Sequence, residues 1–208
     1  YRKWGKLKST YIDGYLRCIN AATGRIHPDL MPLGTETGRF ASRNPNMQNC
    51  PRKDNDPVGV RKFIKAPEGS LLVSLDFSQI ELRVGAFYCR DEKMLQTYRN
   101  GGDIHAQTTS VIFHVPFETA VDKNAPHYKE RRTIAKNCNC GVFYGLFPSG
   151  LQKTLKFKAG LDVSKDTCSG IIDNLKYGYP RLSLWQEEFK KRAAITYFAE
   201  TWLGRRRY

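Results

Sequence analysis

The sequence lacks any C-x-x-C pair, because its six cysteines are scattered at positions 18, 50, 89, 138, 140 and 168. That spacing argues against a zinc site and, in a chain of this size, against a disulfide framework. Cys138 and Cys140 are close in sequence, but on a helix they would point about 200° apart. We therefore expect six reduced thiols in an intracellular protein.

The sequence has no apolar run of the ~20 residues that a membrane span needs. It shows no signal-peptide pattern. It begins at Tyr1 rather than at a methionine and stops at Tyr208 inside a basic run, GRRRY. We therefore expect the chain to be a fragment of a longer protein.

Acidic residues are few compared with basic ones. The chain has 20 Asp and Glu against 34 Lys and Arg, a formal charge of +14. Such a charge says little about the fold but indicates partners. Nucleic acid is the leading partner, because phosphate neutralisation by Lys and Arg drives non-specific binding. Association with a ribosome or a membrane surface would produce the same charge.

Apolar periodicity predicts a small mixed region followed by a mainly helical one. Residues 71–77, LLVSLDF, predict a buried strand. A helix with Ile80, Val84 and Phe87 on one face follows. The later elements are four helices, a break and a short strand: helices over 103–113, 128–143, 165–177 and 181–198, the break at 178–180 and the strand over 198–203.

The predicted strand ends in a carboxylate, Asp76. Mg²⁺ prefers hard oxygen ligands and commonly takes one or two carboxylates together with substrate phosphates. Asp76 is therefore a candidate metal ligand, although a turn-capping role is the commoner explanation for an isolated aspartate at the end of a strand. Ser78 and Glu81 have the spacing of a capping box at the start of the next helix.

Four residues spaced by four form one slowly turning stripe on the predicted helix over 128–143: Arg132, Lys136, Cys140 and Tyr144. The stripe rises about 18 Å from its cationic end to its aromatic end. A nucleoside triphosphate has the same polarity, because Arg and Lys bind phosphate and a ring can stack on the base. Gly145 would end the helix or let the chain turn. A solvated basic face is the alternative interpretation.

A basic, amide-rich segment runs from Thr37-Gly38-Arg39-Phe40 to residues 44–49, NPNMQN. Asn, Gln and Arg side chains bond base edges as well as sugar and phosphate. Asn-Pro is also an ordinary turn signal. The segment is a candidate nucleic-acid contact.

Taken in order, these segments resemble the family A DNA polymerases. The matching stretches are KLKSTYI at 6–12, TGR at 37–39, PNMQN at 45–49, DFSQIELR at 76–83 (motif A), GDIH at 102–105, R-x3-K-x7-YG at 132–145 (motif B) and GRRRY at 204–208. One position departs from the pattern, because the family places Phe, Tyr or sometimes Leu where this chain has Cys140.

The resemblance implies an α+β fold, with part of the palm sheet of a polymerase right hand followed by a mainly helical fingers subdomain. It implies that residues 1–12 end the thumb, that 13–83 form part of the palm with the motif A strand, and that 84–208 form the fingers with the motif B helix. Motif C, a short His-Asp-Glu-like hairpin with the second catalytic aspartate, is expected beyond residue 208.

The resemblance implies template-directed DNA synthesis, in which two Mg²⁺ ions assist nucleotidyl transfer from a dNTP to a primer 3′-oxygen. Asp76 and the Phe77 carbonyl would hold metal, and Asp76 and Lys136 would be catalytic. The nucleotide would be bound by Arg132, Lys136, His105, Gln79, Glu81, Cys140 and Tyr144. Primer and template would be contacted by Arg39, Asn46, Gln48, Asn49, Lys6 and Lys8.

The resemblance also assigns particular roles and a setting. Glu81 would exclude a ribose 2′-hydroxyl, and Tyr144 would lie beside the template base. We expect primer-template DNA and dNTPs as partners and no membrane, in the cytoplasm or nucleoid of a bacterial or phage-infected cell, or in an organelle. The isolated fragment should bind DNA in a salt-sensitive way without extending a primer.

Two other functions fit parts of the sequence. A single-subunit phage-type RNA polymerase shares the Arg-x3-Lys-x7-Tyr-Gly helix, but it carries a small residue near the place of Glu81. A non-catalytic nucleic-acid-binding fragment needs the basic surface alone. The combination of Asp76, Arg132 and Lys136 favours an enzyme.

Overall fold

The structure is a computed structural model that describes residues 2–51 and 56–208. The chain divides into two compact units, Tyr1–Leu75 and Asp76–Tyr208. The described residues form two small antiparallel sheets and many helices, which agrees with the predicted α+β class.

The first unit begins with three helical stretches that follow one another directly: α1 at Arg2–Lys6, a π-helical stretch at Leu7–Asp13 and α2 at Gly14–Leu16. A hairpin follows, in which β1 (Asp29–Met31) pairs antiparallel with β2 (Ala41–Arg43). Within the described residues, two short 3₁₀ helices follow in this unit, at Met47–Asn49 and Val60–Phe63. Its small core contains Leu7, Tyr11, Tyr15 and Val60.

The second unit contains eight α-helices in the described residues: α3 at Ile80–Cys89, α4 at Glu92–Arg99, α5 at Ile104–Phe113, α6 at Phe117–Val121, α7 at Tyr128–Val142, α8 at Pro148–Thr154, α9 at Lys165–Gly178 and α10 at Pro180–Thr196. A π-helical turn, Leu155–Ala159, extends α8. A final hairpin pairs β3 (Ala199–Glu200) with β4 (Arg206–Arg207). The four predicted helices are confirmed, and so is the predicted break, because Tyr179 lies between the last residue of α9 and the first residue of α10.

The core of the second unit lies where α5, α7 and α9 pack together. Each helix contributes apolar side chains that are at most 5% exposed, such as Ile112, Ala135 and Leu175. Polar side chains are also buried there, including Thr108 and Asn139. Because buried polar groups need hydrogen-bond partners, these two residues mark a specific contact between α5 and α7.

The predicted buried strand over 71–77 is wrong. This segment has neither helix nor strand, and Leu71 and Leu75 are 90% and 93% exposed. A strand needs a neighbour to satisfy its backbone hydrogen bonds, and β1 to β4 pair only with one another within residues 2–51 and 56–208. An apolar run shows that a segment is hydrophobic, but it does not show that a neighbouring strand is present to pair with it.

The capping box predicted at Ser78 and Glu81 is also wrong. Gln79, not Ser78, is the residue that precedes α3; it is in the left-handed conformation, with φ 55°, and its side chain makes no capping hydrogen bond. The Ser78 carbonyl instead accepts a hydrogen bond from Arg83 Nε at 3.0 Å. The predicted face with Ile80 and Val84 is exposed, and α3 buries Leu82, Gly85, Ala86 and Cys89.

Candidate nucleotide and nucleic-acid site

The predicted stripe lies on α7 for three of its four members, Arg132, Lys136 and Cys140. Lys136 and Cys140 are exposed, whereas Arg132 is partly buried. The helix ends at Val142, and Gly145 adopts φ 74° shortly afterwards. The glycine therefore lets the chain turn, as predicted, and Tyr144 lies just beyond the helix with 72% of its surface exposed.

Arg132 forms an ion pair with Asp103, with Nη2 2.6 Å from Oδ2. Asp103 also caps α5, because its Oδ1 accepts hydrogen bonds from the backbone amides of His105 at 2.9 Å and Ala106 at 3.3 Å. Partial burial acts to raise the pKa of Asp103. The hydrogen bond and charge of Arg132 outweigh that effect, so the pKa lies below its ordinary value.

His105 lies in the first turn of α5 and is partly buried. Its Nδ1 is 2.9 Å from the side-chain nitrogen of Asn139 on α7. Burial lowers the pKa of His105, and the positive charges of Arg132 and Lys136 lower it further, against the opposing charge of Asp103. The imidazole is therefore neutral at neutral pH.

A cavity of about 360 Å³ lies between α3, the end of α7 and α10. Three of the predicted nucleotide-binding residues line it, namely Glu81, Cys140 and Tyr144. The Tyr144 hydroxyl donates a hydrogen bond to Glu81 Oε2 at 3.1 Å. Gly85 on α3 lets the ring of Phe143 approach closely, because a Cβ at that position would overlap this ring. The fold thus brings motif A and motif B residues together.

Asp76 and Phe77 begin the second unit, and both side chains are exposed. In residues 2–51 and 56–208, no group of three His, Cys, Asp or Glu side chains is placed to hold a metal ion. A carboxylate and a carbonyl are nevertheless the hard donors that Mg²⁺ accepts, and this ion commonly completes its shell with phosphate and water. These two residues fit part of a coordination sphere rather than a whole one.

Gln79, the remaining nucleotide-binding candidate, immediately precedes α3 and is partly buried. Its left-handed backbone turns the chain from the exposed segment 71–77 into the helix.

The DNA-binding candidates lie in the first unit. The Tyr11 hydroxyl donates to the Asn49 carbonyl at 2.8 Å, and Asn46 caps the adjacent 3₁₀ helix by accepting from the Gln48 amide at 3.1 Å. The segment is thus held through its backbone and one asparagine, while the side chains of Gln48 and Asn49 are exposed.

The basic DNA-binding candidates of the first unit are exposed as well: Arg39, Lys6 and Lys8. Arg39 follows Gly38, which has φ 81°. Lys8 forms an exposed ion pair with Asp13 at 2.7 Å. Such a pair contributes little to stability, so a phosphate can readily replace the carboxylate.

Sequence reasoning assigned no role to Asp103 or Asn139, although both contact predicted nucleotide-binding residues. Asn139 had one signal, because a polar residue follows Ala135 and Cys138 on the buried face of α7.

Cys138 is buried and Cys140 exposed, which confirms that these thiols point apart. All six cysteines are free, and burial raises the pKa of Cys138 to about 12. No helix in the described ranges has the length and apolar character to span a membrane.

Comparison with known proteins gives one consistent family. The profile of DNA polymerase family A matches residues 1–208. The chain is 38% identical over 207 residues to DNA polymerase I of Chloroflexus aurantiacus, covering 100% of this chain and 21% of that protein. It is 38% identical over 210 residues to the thermostable DNA polymerase I of Thermus aquaticus, covering 100% of this chain and 23% of that protein. The chain therefore spans less than a quarter of the length of these relatives.

A solved structure resembles the chain throughout its length. It is the POL domain of Pol1 from M. smegmatis in complex with DNA primer-template and dNTP. The TM-score is 0.82 at 28% identity, and the match covers 100% of this chain and 34% of that chain.

Proposed function

The chain belongs to DNA polymerase family A, and from this premise we propose that it supplies the nucleotide-binding part of a DNA-directed DNA polymerase. The polymerase would transfer a nucleotide from a dNTP to a primer 3′-oxygen under the direction of a template. Family A polymerases use divalent metal ions, and we take Mg²⁺ to be the ion here.

The contact between Glu81 and Tyr144 is the observation that carries the proposal. These residues are 63 positions apart, come from motif A and motif B, and meet at 3.1 Å on a cavity that Cys140 also lines. A solvated basic face would need no such cavity. A pocket with a carboxylate, a phenol and apolar walls suits the sugar and base of a nucleotide.

The cationic half of α7 suits the triphosphate. Lys136 is exposed and Arg132 is partly exposed, and the side chains of lysine and arginine are the usual cationic donors to phosphate. The neutral ring of His105 adds a hydrogen-bond donor beside them. We assign the triphosphate to this end of the helix, with Gln79 contributing from the start of α3, and the base to the end near Tyr144.

Glu81 would select the sugar. Its carboxylate is held by the Tyr144 hydroxyl, so it cannot readily swing aside for a ribose 2′-hydroxyl. A steric clash with the ribonucleotide would lower its affinity relative to the deoxynucleotide, which is one way in which a site gains specificity. This role also favours a DNA polymerase over a single-subunit RNA polymerase, which must admit the same hydroxyl.

Asp76 and the Phe77 carbonyl would hold the divalent metal ions, together with the nucleotide phosphates and a second aspartate from elsewhere in the polymerase. Bound metal would activate the primer 3′-oxygen and neutralise the charge that develops on the leaving pyrophosphate. Lys136 would add a positive charge next to the same phosphates and so lower the cost of that developing charge.

The first unit would contact primer and template through its exposed amides and cations: Asn46, Gln48, Asn49, Arg39, Lys6 and Lys8. We assign residues 1–12 to the end of the thumb, 13–83 to the palm and 84–208 to the fingers. The exposed apolar segment 71–77 would then become a palm strand when strands from the rest of the polymerase pair with it, since its apolar side chains and unpaired backbone both favour burial.

The test uses the complete polymerase with Asp76→Ala and, as a matched control, Asp162→Ala, which changes an exposed aspartate that belongs to neither motif. We expect Asp76→Ala to abolish primer extension in Mg²⁺ and to leave primer-template affinity unchanged, because phosphate contacts elsewhere dominate affinity. The control should extend normally. Extension by Asp76→Ala at more than a few per cent of the wild-type rate would contradict the assignment.

A non-catalytic nucleic-acid-binding role predicts a different result. Such a protein would bind DNA in a salt-sensitive way, and neither the wild type nor any variant would incorporate nucleotides. Measuring binding and extension on the same preparations therefore separates the two functions.

A further inference from the structure

A buried chain of hydrogen bonds leads from the junction of α9 and α10 to His105. The Tyr179 hydroxyl lies 2.9 Å from Thr108 Oγ1, which in turn lies 2.9 Å from Asn139 Oδ1. The Asn139 side-chain nitrogen lies 2.9 Å from His105 Nδ1. Thr108, Asn139 and Tyr179 are each at most 1% exposed.

The direction of each of these hydrogen bonds follows from the number of protons that the side chains can donate. The partner that the structure gives the Tyr179 hydroxyl is Thr108, so Tyr179 donates to Thr108 Oγ1. Thr108 has a single hydroxyl proton, and it donates this proton to Asn139 Oδ1. If the Asn139 amide were rotated by 180°, its NH₂ group would donate to Thr108, and Thr108 would donate to the Tyr179 hydroxyl. The buried proton of Tyr179 would then have no acceptor, which is costly. The NH₂ group of Asn139 therefore faces His105.

The state of the His105 ring follows in turn. Nδ1 accepts a hydrogen bond from the Asn139 amide, so the neutral ring carries its proton on Nε2. Nε2 lies on the edge of the ring away from Asn139 and is thus directed away from the buried amide. The charged groups near this ring are Arg132, Lys136 and Asp103, which mark the same end of α7 as the phosphate site.

We infer that Asn139 is a positioning residue, whose amide holds the His105 ring in one orientation and one tautomer so that Nε2–H is presented to the phosphate oxygens of the incoming nucleotide. This inference rests on the proposed function. Asn139 also lines the cavity, but its side-chain oxygen and nitrogen are engaged by Thr108 and His105, so the amide acts on the nucleotide through His105. Thr108 and Tyr179 act one step further back, because they fix which end of the amide faces the ring.

A purely structural role for Asn139 predicts something else. If the amide only satisfied a buried contact between α5 and α7, its loss would weaken the fold to the same extent whether or not His105 were present. Nucleotide use would then change with stability and not with the histidine. A double-mutant cycle separates these cases.

The kinetic experiment uses the complete polymerase with dATP opposite a template thymine. The variants are Asn139→Leu, Thr108→Val, His105→Ala and the two doubles with His105→Ala. We expect Asn139→Leu to lower kcat/KM for dATP by about tenfold, as loss of one oriented hydrogen bond does, and Thr108→Val to lower it by less. With alanine at position 105, the same substitutions should change kcat/KM by less than about twofold.

Asn137→Leu is the matched control. Asn137 lies on the same helix and donates to the Thr133 carbonyl at 2.8 Å, so the substitution removes a comparable amide without touching His105. It should leave kcat/KM unchanged within about twofold. Primer-template affinity should be the same in all variants. Equal effects of Asn139→Leu in the presence and absence of His105 would overturn the inference.

A spectroscopic measurement remains decisive even if Asn139→Leu or Thr108→Val fails to fold. Histidine labelled with ¹⁵N, with His105 assigned by comparison with His105→Ala, reports which ring nitrogen carries the proton. We expect an unprotonated Nδ1 in the wild type and a protonated Nδ1 in the nearly isosteric Asn139→Asp, where a carboxylate oxygen replaces the amide donor. A wild-type ring with its proton on Nδ1 would overturn the inference, whereas a wild type that synthesises no DNA would overturn the proposed function instead.

Discussion

The carboxylate of Asp103 joins two helices of the candidate site, because one oxygen lies 2.6 Å from the Arg132 guanidinium and the other caps the first amides of α5. A phosphate-binding candidate on α7 is therefore already paired within the protein. A triphosphate would exchange with this carboxylate rather than meet a solvated cation, so part of its binding free energy would replace an existing ion pair.

Asp103→Asn should remove the ion pair and keep the helix cap, because Asn is as good a cap as Asp but carries no charge. About a third of the Asp103 side chain is exposed, so we expect a loss of no more than about 1 kcal/mol in the free energy of unfolding. Asp103→Ala should cost about 1 kcal/mol more, because it also removes the cap. Urea denaturation of the three proteins at neutral pH gives both values.

The same ion pair predicts a pH dependence. The folded pKa of Asp103 lies below its ordinary value of 3.8, so its stabilising effect is complete above that pH and is lost as the pH falls through the folded pKa. The stability difference between wild type and Asp103→Asn should therefore shrink in acid. A difference that stayed constant well below pH 3.8 would show that the charge contributes nothing.

Glu81→Ala should raise incorporation of ribonucleotides relative to deoxynucleotides, because it removes the group proposed to meet the 2′-hydroxyl. Tyr144→Phe should produce a smaller rise, because it removes only the 3.1 Å hydrogen bond that holds the carboxylate. Competing incorporation of both sugars opposite one template base measures the ratio. Glu118→Ala, in the first turn of α6, is the control, and a ratio unchanged in Glu81→Ala would contradict the role.

Cys140→Phe should improve nucleotide use, because Cys140 lines the same cavity as Glu81 and Tyr144 and cannot stack on a base. Stacking on an aromatic ring contributes ~1–3 kcal/mol per base, and ~1.4 kcal/mol is a factor of ten in rate, so we expect about a tenfold gain in kcat/KM. Cys140→Tyr should also improve acceptance of dideoxynucleotides, since its phenol can replace the missing 3′-hydroxyl. Identical constants in all three proteins would place position 140 outside the nucleotide pocket.

Gly178→Ala should destabilise the second unit, because a Cβ there would overlap Val111 on α5. Overpacking of a core typically costs about 1–3 kcal/mol. Gly170 lies on the same helix with open space around its Cβ position, so Gly170→Ala should stabilise by about 0.5–1 kcal/mol through helix propensity. Thermal unfolding measures both, and a destabilising Gly170→Ala would show that propensity does not govern this helix.

Much of the helical part of the fold was readable from the sequence. The helices at 103–113, 128–143, 165–177 and 181–198 were predicted within two residues of their observed ends, because apolar period, caps and Gly-Tyr-Pro are local signals. The segment 71–77 was misread as a strand, because apolar residues alone do not provide the neighbouring strand that backbone pairing needs. The prediction of a capping box was also wrong, because Gln79 adopts a left-handed backbone conformation that the sequence pattern does not indicate.

The sequence by itself determined the family, the order of the motifs and the cationic-to-aromatic stripe on α7, because all of these follow from residue identity and spacing along one chain. Only the tertiary structure decided which side chains meet: Arg132 with Asp103, Tyr144 with Glu81, and His105 with Asn139. These partners are 29, 63 and 34 residues apart. Helical periodicity says which way a residue faces on its own helix, whereas the packing of α3, α5 and α7 decides what it faces.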